Sequence, residues 1–146
     1  MADRGIPDPG LELDMKFTPV DPPRVFEVGH GEKKTRLKDC GRVDLDPDEQ
    51  VTFTTAAGAE YDVARKVWGF YATPSLNGRL KQFGLRGVLV KNRIQQYFVL
   101  LVERGQEAAF ERYVADERLT VVSWLDESGV LESLETKVRL SGEGDR

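Results

Sequence analysis

Apolar and polar positions alternate with a period of two through the middle of the chain. In DLDPDEQVTFTT, a turn built on Asp44, Asp46, Pro47 and Asp48 precedes Val51, Phe53 and Thr55, which alternate against Thr52 and Thr54. That is the pattern of a half-buried strand. AAGAE then turns around Gly58, so Gln50–Ala56 and Ala59–Val67 are expected to pair as a hairpin. A second hairpin is expected from Gly87–Lys91 and Gln96–Glu103 around NRIQ. The run from Tyr97 to Val102 is apolar at every position, which predicts a central strand covered on both faces.

Upstream, proline interrupts the alternation. Met15–Val20 reads as a short strand stopped by Pro19 and by Pro22–Pro23. Arg24–Val28 resumes the pattern with Val25 or Phe26 facing inward, GHGEKK reads as a Gly-rich turn, and Thr35–Leu45 reads as extended.

The C-terminal third changes period. Ala109, Phe110, Tyr113 and Val114 recur at helical spacing and predict a helix over 106–117. LTVVSWL returns to strand composition. In DESGVLESLETKVRL, Val130 or Leu131, Leu134 and Val138 share one stripe of a second helix. Strands first, then helix, strand and helix, predict an α+β fold. The expected form is a mainly antiparallel sheet or β-sandwich of six to eight short strands, followed by helix–strand–helix. The second arrangement makes helix 106–117 a parallel crossover between strands. Residues 15–140 are expected to form one globular domain between flexible tails at 1–14 and 141–146.

Composition agrees. A chain of 146 residues, 40% hydrophobic and 32% charged, is long enough to bury roughly 68–70% of its unfolded surface. Cys40 is the only cysteine, so no internal disulfide forms. MADRGIPDPG has no apolar core of a secretory leader, and no apolar run approaches the ~20 residues of a membrane span. A cytoplasmic protein that makes no use of a membrane is expected.

Charge changes the picture more. Residues 1–63 carry 8 Lys/Arg against 14 Asp/Glu, and residues 105–146 carry 5 against 10. Between them, residues 64–104 carry 8 (Arg65, Lys66, Arg79, Lys81, Arg86, Lys91, Arg93 and Arg104) against Glu103 alone. Such a block attracts an anion or an acidic partner, or it pairs with the acidic ends of its own chain.

Most familiar chemistry is missing. One histidine, His30, and one cysteine cannot assemble a zinc site, so no metal and no cofactor are expected. The spacing Asp44-x-Asp46-x-Asp48 resembles the start of a calcium loop, but Glu49 stands where glycine is needed and Thr55 where glutamate is needed. It reads as a turn. His30 and Cys40 could form a dyad on residue type alone, although a lone cysteine is more often a small buried apolar group. Ser75 lacks the flanking glycines of a nucleophile elbow. An isomerase or epimerase could use His30, Tyr61, Tyr71 and Asp62. No pattern assigns a catalytic residue.

The segment WGFYATPSLNGRLKQFG, from Trp68 to Gly84, combines aromatics, amides and cations around a turn at TPSLNG. Trp68 and Tyr71 suit stacking on a ring. Arg79, Lys81 and Arg86 suit phosphate or carboxylate, and Asn77 suits hydroxyls. The leading expectation is a ligand-binding domain for an anionic carbohydrate, such as a sugar phosphate or nucleotide sugar, held over 68–93. The alternatives are a metal-independent enzyme on the same ligand class, or an interaction subunit docking a larger protein or a second copy of itself through a strand edge. A sequence pI of about 5.1 argues against a nucleic-acid partner.

Overall fold

In the computed structural model, which describes residues 16–29 and 34–144, the strands form three separate antiparallel sheets. Strands β1 (Lys16–Val28) and β2 (Thr35–Asp44) form a two-stranded ribbon. Strands β3 (Gln50–Thr54), β4 (Glu60–Lys66) and β5 (Gly69–Ala72) form a meander in that order. A single helical turn, α1 (Arg79–Gln82), leads into β6 (Leu85–Lys91) and β7 (Tyr97–Glu103). Helix α2 (Glu107–Asp116), strand β8 (Thr120–Trp124) and helix α3 (Ser128–Gly144) complete the order. The fold is α+β and mostly antiparallel sheet, as the alternating pattern predicts. Among the described residues no helix is long and apolar enough to cross a membrane.

The core is built around β6. Its side chains alternate between two apolar clusters on opposite faces of the sheet β7-β6-β8. On one face, fully buried Val88 and Val90 join Val102, and Leu100, Phe110, Leu119 and Trp124 pack against them. On the other, Leu85 joins Leu80 of α1 and Ala59 at the entry to β4, with Tyr61, Leu76 and Leu101 around them. The second cluster binds the meander to the C-terminal sheet. Glu60 N–H donates to Phe83 O at 3.1 Å across the same junction, and Arg104 N–H to Gly84 O at 2.8 Å extends the β6–β7 ladder.

The strand covered on both faces is therefore β6, whereas the apolar run at Tyr97–Val102 predicts it for β7. Strand β7 lies at the edge of its sheet, and Tyr97, Phe98 and Val99 at its start are exposed. The clusters end before reaching them. The crossover alternative contains part of the answer. Strands β7 and β8 are both antiparallel to β6, hence parallel to each other, and α2 connects them with β6 lying between. This is a split crossover.

The first strand also departs from the prolines' prediction. Lys16–Val28 is one strand, interrupted only by a register shift between Pro19 and Arg24. A two-stranded ribbon has two free edges, so prolines that would break a ladder inside a sheet are tolerated here. Neither Phe26 nor Val25 faces inward, because among the described residues the ribbon adds no side chain to either apolar cluster; both are exposed. Cys40, expected to be buried, is exposed as well. His30 and most of the GHGEKK turn lie outside the described residues, as do residues 1–15 and the last two residues. Helix α3 runs to Gly144, beyond the expected end near residue 140.

Leu80 is 1% exposed and anchors α1 in the junction cluster. Leu80→Ala is expected to lower unfolding free energy by about 3 kcal/mol, the middle of the range for buried Leu→Ala changes. Urea denaturation followed by tryptophan fluorescence measures it.

Candidate functional site

The segment from Trp68 to Gly84 begins at a tight turn. Val67 and Trp68 are the two loop residues between Lys66 and Gly69, which pair across β4 and β5. Trp68 is consequently 73% exposed. Gly69 has φ +150°, in a region that disfavours other residues. Tyr71 follows in β5 and is also exposed, on the strand face opposite Phe70.

After β5 the chain reverses at TPSLNG. Ser75 organises the reversal: its carbonyl accepts from Gly78 N–H and Leu80 N–H, and its hydroxyl accepts from Arg79 N–H at 3.1 Å. A Cβ on Gly78 would approach Ser75 Oγ to 2.5 Å, so glycine is needed for this close approach. The turn aims its polar side chains into the protein's own carboxylates and hydroxyls. Arg79 donates to Asp62 Oδ2 at 3.1 Å and lies 5.2 Å from the Phe83 ring centroid. Asp62 is buried and also accepts from Thr52 Oγ1 at 2.6 Å. Lys81 Nζ reaches Glu127 at 3.5 Å, and Asn77 donates to Ser128 Oγ at 3.1 Å. Asn77 and Lys81 thus tie α1 to the start of α3.

Arg86 sits apart from these, on β6. Its Nε donates to Asp126 Oδ2 at 2.6 Å and its Nη2 to Asp126 Oδ1 at 3.4 Å, while Nη1 reaches Glu107 Oε2 at 3.4 Å. The guanidinium carbon lies 4.0 Å from the Trp124 ring centroid. Bidentate pairing stacked on an aromatic face is a geometry that arginine satisfies and lysine does not. Asp126 is only 2% exposed. The hydrogen bond from Arg86 holds the Asp126 carboxyl below its ordinary range, and the same bond raises the Arg86 guanidinium. Glu107 is lowered by the backbone N–H groups of its own residue and Gly105, then by Arg86.

The six residues marked by sequence fall into three places. Trp68 and Tyr71 lie on the β4–β5 hairpin, Asn77, Arg79 and Lys81 on the α1 turn, and Arg86 under the end of β8. None of them lines either of two cavities among the described residues. A cavity of about 420 Å³ lies among Val90, Phe98, Leu100, Tyr113, Arg93 and Glu117. A smaller one of about 180 Å³ borders Ala59, Phe83, Glu103 and Arg104. Of the residues considered for proton transfer, Tyr61 and Asp62 are adjacent on β4 and so point to opposite faces. Among the described residues no group of three or more His, Cys, Asp or Glu is placed to hold a metal. Of the Asp44–Asp48 stretch, Asp44 ends β2 and the rest leads into a turn in which Asp46 N–H donates to Glu49 Oε1.

The second exposed surface is the ribbon. Its register places Phe17, Pro19, Arg24, Phe26 and Val28 opposite Val43, Gly41, Asp39, Leu37 and Thr35. These five pairs share one face, because β2 contributes every second residue. Arg24 bonds Asp39 at 3.0 Å at the middle pair and lies 5.8 Å from the Phe26 ring. The other face carries Lys16, Thr18, Val25, Glu27, Arg36, Lys38, Cys40, Arg42 and Asp44. One face is mainly apolar around a central ion pair, with Thr35 at its end, and the other is mainly polar, with Val25 and Cys40 among its charges. Phe17 remains 57% exposed, Leu37 45% and Phe26 43%. The alternation of Arg36, Lys38 and Arg42 with Leu37 and Val43 is the sequence signal for this face. Comparison with family models, curated proteins and solved structures finds no significant match.

Asp126 ionised stabilises the fold because its folded carboxyl titrates below the unfolded one. That contribution is complete above the unfolded carboxylate value of about 3.9 and is lost as pH falls through the lower folded value. Asp126→Asn leaves Arg86 without its main partner and is expected to cost about 3 kcal/mol at pH 7. In urea titrations the gap between variant and wild type should narrow as pH is taken toward about 3.

Proposed function

We propose that this chain is a protein-docking subunit whose working surface is the apolar face of the β1–β2 ribbon. The observation that carries this reading is the exposure of Phe17, Phe26, Val28, Leu37 and Val43 on one face of the ribbon, none of them a member of either apolar cluster. An isolated two-stranded ribbon is marginal in water, and a contiguous apolar face of this kind marks an interaction site. Intramolecular pairing supports the same reading from the other side. Lys66, Arg79, Lys81 and Arg86 of the basic block are held by Asp48, Asp62, Glu127, Asp126 and Glu107. An anion arriving at these cations would have to displace an internal carboxylate.

The test uses alternate faces of one strand. A photo-crosslinking residue at Leu37 is expected to capture a protein in the cell, while the same residue at Lys38, on the polar face, captures none. Equal capture from both positions, or none from Leu37, removes the proposal.

A second reading keeps the anionic carbohydrate, because Trp68 and Tyr71 are exposed aromatics on adjoining parts of one hairpin and stacking on a sugar face needs such rings. Under it, titration with a sugar phosphate or nucleotide sugar changes the fluorescence of the chain, and Trp68→Ala abolishes the change. A flat titration at millimolar ligand rules the reading out.

A further inference from the structure

The ribbon face has a symmetry that its separate residues do not reveal. Along the ribbon the five pairs run Phe17/Val43, Pro19/Gly41, Arg24/Asp39, Phe26/Leu37 and Val28/Thr35. The ion pair is at the centre, with an aromatic facing an aliphatic residue on either side of it. In both aromatic pairs β1 supplies the large ring and β2 the branched chain. Gly41 leaves room for the Phe17 ring, since a Cβ there would meet the ring carbons at 2.6 Å. Arg24 is likewise on β1 and Asp39 on β2.

We infer that the occupant of this face is a second copy of the chain, related by a two-fold axis running along the ribbon between the two apolar faces. This rests on the docking reading above and names its partner. Such an axis lays β1 of one chain over β2 of the other with the five levels matched. Arg24 then meets the second copy's Asp39, Phe26 meets its Leu37, and Phe17 meets its Val43. Each large side chain falls on a smaller one, and each charge on its opposite. The other face-to-face two-fold, across the ribbon, stacks β1 on β1. With full overlap of the five levels it is centred on the middle one and would set Arg24 on Arg24 and Asp39 on Asp39, an arrangement that like-charge contact disfavours. Isologous contacts of the first kind are how closed dimers form.

Edge pairing is the competing route to a dimer, and the ribbon obstructs it. Pro19, Pro22 and Pro23 lie in β1 and lack the N–H that an added strand would need, while Arg36, Lys38 and Arg42 lie along β2. Proline and like charge on an edge are the usual barriers to strand addition. The face is left as the route. At ~3.4 Å per residue the ribbon is about 34 Å long, and at roughly 10 Å wide it offers about 340 Å² per chain. Standard interfaces bury about 800 Å² per partner. The ribbon therefore sets the register of a reversible dimer, with association expected in the micromolar range.

Sedimentation equilibrium of the full chain over roughly 1–200 µM, bracketing that range, tests this. The expected result is a mass rising from 16.4 kDa toward twice that value with concentration. Arg24→Asp and Asp39→Arg should each weaken self-association by roughly tenfold or more. Mixing the two variants should restore a dimer containing one of each. The middle level of the Arg24→Asp chain carries two carboxylates, and it then faces the two guanidinium groups of the Asp39→Arg chain. The doubly reversed chain, which keeps its cross-strand pair, should behave like wild type and controls for ribbon folding. A monomer at every concentration overturns the inference, as does a mixture that fails to recover. If Leu37 nevertheless crosslinks to a different protein in the cell, the docking reading survives without the dimer.

Discussion

The C-terminal half of the molecule depends on one buried ion pair. Arg86 projects from the middle strand of a three-stranded sheet, and the groups that hold it come from elements on either side: Asp126 from beyond β8 and Glu107 from the first turn of α2. Three elements distant in sequence meet at one guanidinium, with Trp124 as its floor and Phe110 edge-on to Trp124 at 5.6 Å. Burying charges costs several kcal/mol per ion, and that cost is offset only when hydrogen bonds fill both partners' capacity. Here bidentate geometry and the backbone amide of Gly105 on Glu107 supply them. The apolar cluster beneath, Val88, Val90 and Val102, opposes a one-residue slip, which would turn these side chains to the other face. The ion pair adds direction to the same register.

The charge distribution along the sequence acquires its meaning from this. A basic block between two acidic ends suggests an external anion, with Arg79, Lys81 and Arg86 as its natural recognition groups. In the fold four of its eight cations, Lys66, Arg79, Lys81 and Arg86, meet carboxylates from both ends: Asp48 and Asp62 from one, Glu107, Asp126 and Glu127 from the other. Segregation of charge in sequence here records pairing between segments in space. Composition alone cannot distinguish these cases, because it contains no distances.

Legibility in the sequence follows local period. The β3–β4 and β6–β7 hairpins, α2 and β8 are all visible as alternation, apolar runs or helical spacing, although Phe53 of β3, which the alternation turns inward, is exposed. The ribbon's strands are visible too, but its exposure is not, because Phe26 and Leu37 look like inward-facing strand residues whether or not a second layer exists. Nor can the run at Tyr97–Val102 be told from a central strand, since periodicity does not say where a covering helix stops. The candidate site suffers from the same gap. Trp68, Tyr71 and Asn77 are sensible choices by residue type, while Asp62, Asp126 and Glu127, which complete the cations' surroundings, are indistinguishable in sequence from other acidic residues.

The ribbon has one further consequence. Its strands, β1 and β2, contribute no buried side chain to either apolar cluster, so their order is not guaranteed by the cooperative melting of the rest. Anything that covers their face stabilises them in proportion to its free concentration. The molecule thus carries two stabilities of different kinds. One is intrinsic, centred on β6, and is the same in a dilute or a crowded solution. If the ribbon face is covered as proposed, the other is set by mass action, and the ribbon of a solitary chain is then a looser object than that of a chain whose face is occupied.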